Sequence, residues 1–195
     1  MNIGLLLAAG KGERFKEDKA FVLINGKPVI FYSLQFLEES PYVDEIFIAV
    51  NKGNKKKIES FVKKSKFKKV KKIFLGGPSR FVSVTKVLPL VLDKKKLDYL
   101  VIHNVANPLA TQEELYQCVN TLTRRADISG VAVGRKIHST IKKATGLSWE
   151  APVTVEQTVP RQNLWEVETP QVVRVKYFMP AAQSLPARRS LGEGG

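Results

Sequence analysis

Hydrophobic and polar residues fall into alternating blocks along this chain. Short apolar runs such as Ile46–Val50 contain no polar residue, which is typical of strands buried on both faces of a parallel sheet. Between these runs, apolar residues recur at helical spacing, as in the segment that follows Pro28. The predicted strands cover residues 2–8, 46–50, 72–75, 99–103 and 128–133. Because strands and helices alternate with short connections, the pattern predicts a three-layer α/β domain with a mainly parallel sheet.

Local signals set several element boundaries. Thr111, followed three residues later by Glu114, is a capping-box pattern and predicts a helix that runs to about Arg125. The helix predicted over residues 79–92 must bend or end at Pro89, because proline cannot donate a backbone hydrogen bond. The dipeptide Asn25-Gly26 predicts a tight turn.

The pattern changes after Arg135. Residues 137–142 and 152–159 are polar and rich in Thr and Val, which predicts a two-stranded hairpin with little core of its own. We expect this β-arm, at about residues 136–160, to pack against a second subunit. Residues 185–195 are small, polar and glycine-rich, so we expect a disordered tail or an artefactual end there, and one folded domain over residues 1–184.

Composition narrows the class of protein. The chain has 195 residues, enough for one domain with a substantial core. No apolar run approaches the roughly 20 residues that span a bilayer, and the first residues carry no secretory signal. Cys118 is the only cysteine and lies near the apolar side of a predicted helix, which favours a buried structural thiol. We therefore expect a cytoplasmic protein without a membrane segment.

The net charge is +14, and much of it lies between Lys52 and Lys72. Such a cluster can bind nucleic acid or another anionic surface. However, Ile58, Phe61 and Val62 keep helical spacing within it, and it contains no arginine and no aromatic residues placed for base stacking. The pattern favours a solvated helix face over a nucleic-acid site, although the charge can help to attract a polyphosphate.

A glycine-rich loop follows the first predicted strand. The apolar run ends at Ala8 and Ala9, and Gly10 and Gly12 come next. Glycines let backbone N–H groups approach an anion closely, and the cations Arg14 and Lys19 further along the loop can add positive charge. The loop therefore predicts a phosphate site, with an ordinary turn as the alternative.

Other polar segments also fall at the carboxyl ends of predicted strands, where open α/β sheets bind ligands. Gly77 would allow close approach of a base or ribose, and Ser83 could donate its hydroxyl. No catalytic triad order, carboxylate pair or metal-ligand spacing is evident in the sequence. A site built from cations and backbone donors suits phosphoryl or nucleotidyl transfer, in which positioning and charge stabilisation supply most of the catalysis.

Five segments occur in a characteristic order: Ala8–Phe15, Asn25–Ile30, Gly76–Val84, His103–Pro108 and Thr158–Gln171. Together they resemble the 2-C-methyl-D-erythritol 4-phosphate cytidylyltransferase family of non-mevalonate isoprenoid biosynthesis. The first segment alone would fit any sugar-nucleotide transferase, whereas the Arg-x-x-Leu-Trp and Thr-Pro-Gln motifs of the last are more specific. The resemblance covers roughly residues 2–182. It implies a Rossmann-like nucleotidyltransferase fold with a protruding β-arm.

The resemblance also implies a reaction, in which methylerythritol phosphate attacks the α-phosphorus of CTP and pyrophosphate leaves. Arg14 and Lys19 would be the catalytic cations, and a divalent cation, normally Mg²⁺, would bridge the triphosphate through ligands that stay unassigned. A homodimer would form through the β-arm. The nucleotide would be held by Ala8, Ala9, Gly10, Gly12, Gly77, Ser83 and Asn104. The polyol phosphate would be held by Asn107, Thr140, Arg161 and Thr169.

The sequence departs from the family pattern at several places. Lys19 follows Arg14 by five residues where the family has seven, so Lys16 is the alternative catalytic lysine. Asn104 and Asn107 stand where the family has aspartate and arginine. An amide carries no charge for Mg²⁺ or for a phosphate, which affects both the metal and the choice of polyol phosphate. The family's acidic segment, its last strand and a basic residue that reaches the substrate are missing, so we expect a truncated chain with low or no turnover, even if it binds CTP.

These departures keep three functions open. The first is a cytidylyltransferase for methylerythritol phosphate, or for a related polyol phosphate such as ribitol 5-phosphate. The second is a non-catalytic nucleotide-binding homologue, which the two asparagines favour. The third, a basic nucleic-acid-binding protein, rests on the lysine cluster alone.

Overall fold

The computed structural model describes residues 1–10, 18–91, 97–145 and 152–184. Gly12, Arg14, Lys16 and the predicted tail at residues 185–195 lie outside the described residues. The strands are β1 (Asn2–Ala8), β2 (Leu23–Ile24), β3 (Lys27–Pro28), β4 (Glu45–Val50), β5 (Val70–Leu75), β6 (Tyr99–Asn104), β7 (Gly130–Lys136), β8 (Ile141–Thr145), β9 (Thr154–Val159) and β10 (Trp165–Arg174). The α-helices are α1 (Val29–Glu39), α2 (Lys55–Lys64), α3 (Arg80–Thr85), α4 (Leu88–Val91), α5 (Gln112–Arg124) and α6 (Val175–Ser184), and a short 3-10 turn covers Lys19–Phe21.

The main sheet has the strand order β5-β4-β1-β6-β10-β7. β1 pairs in parallel with β4 on one side and with β6 on the other, and β4 pairs in parallel with β5. β10 runs antiparallel to β6. The chain moves outward from β1 to β5 and then returns to the other side of β1 with β6. That reversal is a topological switch point, which is where sheets of this kind bind ligands.

Helices cover both faces of the sheet. Alternate residues of β1, such as Ile3 and Leu5, pack in one core cluster with Val84, Leu88 and Val175 of helices α3, α4 and α6. On the opposite face, a Cβ on Gly4 would lie 3.4 Å from the side chain of Leu37 in α1. The three-layer α/β architecture with a mainly parallel sheet is therefore confirmed.

Most predicted elements are present, with shifted ends. The capping box at Thr111 and Glu114 forms as predicted and starts α5. Cys118 in this helix is buried, and its pKa is raised to about 11 by burial and then by Glu114, so it is the inert thiol that was expected. The fifth predicted strand begins at Gly130 instead of Ile128. No helix of the described ranges has the length and apolarity needed to cross a membrane.

The helix predicted over residues 79–92 was wrong as one element. The structure has α3 and α4, separated at Lys86 and Val87, and Pro89 lies inside the second helix. Proline fits the first turn of a helix, since the N–H group that it lacks has no intrahelical partner there. The break therefore comes before the proline.

Residues 133–168 form a compact unit of their own, separate from the unit of residues 1–132 and 169–195. The antiparallel hairpin of β8 and β9 belongs to it. Its outer residues Val155, Trp165 and Val167 are each more than half exposed. The predicted hairpin is thus present, with its strands at residues 141–145 and 154–159 where residues 137–142 and 152–159 were predicted.

Candidate functional site

The end of β1 lies at the switch point of the sheet. Ala8 is buried, Ala9 is half-buried and Gly10 is exposed, so the chain emerges from the core over three residues. Val50 of β4 lies beside Ala8, and Asn104 of β6 lies beside Leu7. Residues that follow β1, β4 and β6 therefore share one edge of the sheet.

Gly76 and Gly77 close this edge on the side of β5. The Gly76 N–H donates to the Val50 carbonyl at 2.8 Å. A Cβ on Gly76 would lie 2.6 Å from the Ala9 Cβ and 2.8 Å from the Ser83 Oγ. Such distances are far below van der Waals contact, so only glycine lets these three segments meet. The predicted residues Ala9, Gly77 and Ser83 are thus brought together.

Ser83 is buried in α3 and uses its hydroxyl inside the protein. The hydroxyl donates to the Ser79 carbonyl at 3.0 Å and accepts the Gly77 N–H at 2.9 Å. A serine oxygen has one hydrogen and two lone pairs. The hydroxyl is therefore occupied as a donor, and it can offer a ligand only an acceptor lone pair.

Thr169 ties β10 to the end of β6. Its buried hydroxyl accepts the Asn104 backbone N–H at 3.1 Å. The Asn107 N–H donates to the Asn104 carbonyl at 3.1 Å and closes a turn. Asn104 and Asn107 from one predicted motif and Thr169 from another thus form one group.

His103 lies directly before this group and is fully buried. Its ring packs on Phe36 with 4.7 Å between the centroids. Neither ring nitrogen has a hydrogen-bond partner among the described residues. Burial lowers the pKa of His103 to about 4. The nearby Asn107 backbone raises this pKa only slightly, because it does not form a hydrogen bond with the ring. The imidazole is therefore neutral at pH 7.

Lys19 begins the 3-10 turn and is half-buried. The Asp18 carboxylate accepts the Ala20 N–H at 3.1 Å and caps the turn. The Lys57 ammonium from the first turn of α2 lies 3.9 Å from the centroid of the Phe21 ring. The turn that carries Lys19 is therefore tied to α2. Arg14 and Lys16, between Gly10 and this turn, lie outside the described residues.

Sequence reasoning missed two asparagines after β4. The Asn54 amide donates to the Ala8 carbonyl at 2.8 Å, and the Asn51 amide donates to the Gly10 carbonyl at 3.1 Å. The sequence signal was an Asn-x-x-Asn pair directly after a buried strand. That signal is weak by itself, because asparagine is common in turns.

Arg80 was also missed. Its guanidinium donates to the Gln171 amide oxygen at 2.9 Å and joins α3 to β10. Burial lowers the pKa of Arg80, although the group stays cationic at pH 7. A surface-exposed cation thus joins the helix that follows Gly77 to the strand that carries Thr169.

Thr140 and Arg161 both belong to the unit of residues 133–168, and both are exposed. The Arg161 guanidinium donates to the His138 carbonyl, two residues before Thr140. Arg135 in the same unit pairs with Glu168 and lies 3.9 Å from a carboxylate oxygen of Glu166. Within this unit, Arg161 is therefore bonded to the segment that directly precedes Thr140.

The described residues do not fit a protein-built Mg²⁺ site. They contain no group of three or more His, Cys, Asp or Glu side chains that could hold a metal ion. Asn104 offers a neutral amide at the edge of the sheet, whereas Mg²⁺ prefers one or two carboxylates beside its phosphate ligands. The arrangement can orient an anion by backbone donors and cations, and it supplies no metal cage.

Solved structures share this fold. The chain matches 4-diphosphocytidyl-2C-methyl-D-erythritol synthase from Anaerococcus prevotii with a TM-score of 0.71 and 19% identity, over 94% of this chain and 74% of that one. It matches the Francisella tularensis 2-C-methyl-D-erythritol 4-phosphate cytidylyltransferase with a TM-score of 0.70 and 22% identity, over 93% of this chain and 76% of that one. The Rossmann-like nucleotidyltransferase fold implied by the sequence is confirmed.

Sequence comparison is more specific than fold. The 2-C-methyl-D-erythritol 4-phosphate cytidylyltransferase of Lachnospira eligens is 34% identical over 174 residues, which are 88% of this chain and 72% of that protein. The enzyme of the same name from Dehalococcoides mccartyi strain CBDB1 is 33% identical over 183 residues, which are 92% of this chain and 74% of that protein. The family model for 2-C-methyl-D-erythritol 4-phosphate cytidylyltransferase matches residues 3–190. The chain therefore belongs to the 2-C-methyl-D-erythritol 4-phosphate cytidylyltransferase family.

Proposed function

We propose that this protein transfers the cytidylyl group of CTP to 2-C-methyl-D-erythritol 4-phosphate, in isoprenoid precursor biosynthesis. The observation that carries the proposal is the family match over residues 3–190. Clustering of the β1, β5 and β6 ends at one sheet edge supports it, because a nucleotide needs contacts from several segments at once.

In the proposed reaction, a phosphate oxygen of the polyol phosphate attacks the α-phosphorus of CTP. The bond from that phosphorus to the bridging oxygen breaks, and pyrophosphate leaves with the electron pair. Arg14 and Lys19 offset the negative charge that gathers on the phosphates. Ala8, Ala9, Gly10, Gly12, Gly77, Ser83 and Asn104 hold the nucleotide, and Asn107, Thr140, Arg161 and Thr169 hold the polyol phosphate.

Mg²⁺ enters the proposal as a partner of the triphosphate. When bound there, a divalent cation neutralises phosphate charge. The residues that would hold it stay unassigned, because the described residues contain no group of three or more His, Cys, Asp or Glu side chains that could hold a metal ion.

The proposal also covers assembly and location. Exposed Val155, Trp165 and Val167 in the unit of residues 133–168 support a homodimer through the β-arm, since large apolar side chains favour burial. We place the enzyme in the cytoplasm. We treat residues 1–184 as one nucleotidyltransferase domain with a β-arm at about 136–160.

Pyrophosphate release from CTP and methylerythritol phosphate tests the function. We expect release only with both substrates present, and faster release with methylerythritol phosphate than with ribitol 5-phosphate. The reverse preference would favour the ribitol 5-phosphate variant. CTP binding in calorimetry without any release would favour the non-catalytic homologue, which Asn104 and Asn107 support.

Lys19→Met and Lys16→Met form a matched pair for the catalytic lysine. If Lys19 stabilises the transition state, its loss should lower kcat roughly a hundredfold or more, as for the loss of one electrostatic donor. The Lys16 variant should keep kcat within about threefold. The opposite result would move the role to Lys16.

A further inference from the structure

Asn51 and Asn54, in the connection between β4 and α2, hold each other by two reciprocal hydrogen bonds. The Asn51 N–H donates to the Asn54 Oδ1 at 3.0 Å, and the Asn54 N–H donates to the Asn51 Oδ1 at 2.9 Å. Because each Oδ1 accepts a backbone hydrogen, each Nδ2 must face away from the partner. The orientation of both side-chain amides is thereby set by the protein.

Both Nδ2 groups reach the end of β1. Asn54 Nδ2 donates to the Ala8 carbonyl at 2.8 Å, and Asn51 Nδ2 donates to the Gly10 carbonyl at 3.1 Å. Asn54 is only 4% exposed, so its hydrogen bond is shielded from water. We call this pair the asparagine clasp.

The clasp also belongs to the start of α2. The Lys55 N–H donates to the Asn51 carbonyl at 3.1 Å, and the Ile58 N–H donates to the Asn54 carbonyl at 2.9 Å. Ile58 is fully buried. The two asparagines therefore stand on a rigid helix terminus, from which they hold two carbonyl groups of the neighbouring segment.

Holding these carbonyls has an electrostatic consequence. A carbonyl oxygen carries partial negative charge, so an oxygen turned towards a triphosphate would weaken binding. The Ala8–Ala9 peptide bond is trans, and its N–H points opposite to its C=O. With the Ala8 oxygen held towards Asn54, the Ala9 N–H is directed away from Asn54.

We propose that Asn51 and Asn54 are positioning residues for the triphosphate of the nucleotide. They do not touch the ligand, and they act by fixing the peptide orientations of Ala8 and Gly10. This inference rests on the proposed function, which places Ala8, Ala9 and Gly10 in the nucleotide site.

Asn54→Asp and Asn51→Asp are the informative variants. Aspartate has nearly the same shape as asparagine and keeps the oxygen that accepts the partner's N–H. It replaces the donating Nδ2 by a second oxygen, which repels the carbonyl instead of binding it. Asn120→Asp in α5 is the control, because it makes the same chemical change where the side chain has no hydrogen bond to another described residue.

The full chain is titrated with CTP and, separately, with inorganic tripolyphosphate, and KM is measured for both substrates. We expect each clasp variant to weaken binding of both probes roughly tenfold, as for one lost hydrogen bond plus a repulsive contact. The KM of the polyol phosphate should stay within about twofold, and Asn120→Asp should match the wild type. If the role is purely structural, the variants should have a lower melting temperature and should affect CTP and the polyol phosphate equally. That result would overturn the proposal.

Two further outcomes are distinguishable. If wild type binds tripolyphosphate but not CTP, the proposed function fails, and a roughly tenfold loss of tripolyphosphate binding in the variants still supports the clasp. If wild type binds neither probe, both proposals fail. If the buried Asn54→Asp chain does not fold, Asn51→Asp decides alone, and wild-type affinity in that variant overturns the clasp.

Discussion

The Gly77 N–H donates to the buried Ser83 hydroxyl oxygen at 2.9 Å, and the same hydroxyl donates to the Ser79 carbonyl. One lone pair of the Ser83 oxygen is left. Cytosine presents an amino group that can donate to such a lone pair, whereas uracil presents a carbonyl at the same position. Under the proposed function, the Ser83 oxygen therefore offers an acceptor that favours cytosine over uracil.

Ser83→Ala should reduce the preference for CTP over UTP by roughly tenfold, since it removes the acceptor. Competition titration with the two nucleotides measures this ratio. Ser79→Ala is the matched control, because it removes a hydroxyl that caps the same helix through the Val82 N–H and leaves Ser83 in place. If the ratio of CTP affinity to UTP affinity is unchanged in Ser83→Ala, Ser83 does not take part in base recognition.

Gly76→Ala should destabilise the fold by about 1–3 kcal/mol, the range for overpacking. The new methyl group would meet the Ala9 Cβ at 2.6 Å, and that Cβ cannot rotate away. Urea unfolding measures the change. Gly10→Ala is the control for stability, because nothing lies within 4 Å of a Cβ at Gly10. Equal free energies of unfolding for the two variants would contradict the packing argument.

His103 should make stability depend on pH. Its folded pKa of about 4 lies below the ordinary value of 6.5, so the unfolded chain binds more protons between these values. This contribution is complete above pH 6.5 and is lost as the pH falls from about 6.5 towards 4, by up to about 3 kcal/mol.

His103→Leu should remove that part of the pH dependence. At pH 7 it should change stability by less than about 1.5 kcal/mol, because neither ring nitrogen has a described hydrogen-bond partner to lose. Denaturant unfolding of both proteins at pH 7 and pH 5 gives the comparison. Parallel pH profiles for wild type and variant would show that His103 does not titrate in this way.

Asn104→Asp should let Mg²⁺ promote CTP binding at lower Mg²⁺ concentrations. A carboxylate at this edge would add a charged ligand beside the triphosphate, and we expect the Mg²⁺ concentration for half-maximal CTP binding to fall roughly fivefold. Asn107→Asp makes the same change three residues later. It should instead weaken binding of the polyol phosphate, because the new carboxylate repels the phosphate. Identical Mg²⁺ titrations for wild type and Asn104→Asp would show that residue 104 does not interact with the metal ion.

Periodicity predicted the parallel sheet well. Ile46–Val50 is apolar throughout because β4 is covered on both faces, and that condition is visible in a single segment. The capping box at Thr111 was equally local. The break before Pro89 was not predicted, because it depends on how α4 begins and not on the proline alone.

Residue types and their spacing were enough to predict the α/β class, the family and the glycine loop after β1. Which groups meet at the end of β1 depends on the packing of distant segments. Gly76 touches Ala9 and Ser83, and Asn51 and Asn54 hold the Ala8 and Gly10 carbonyls. The contacts with Ala8, Ala9 and Gly10 join segments more than 40 residues apart, and their geometry follows from strand order and helix packing. The chain pattern therefore predicted a nucleotide loop after β1, and the fold shows which side chains hold the carbonyls of Ala8 and Gly10.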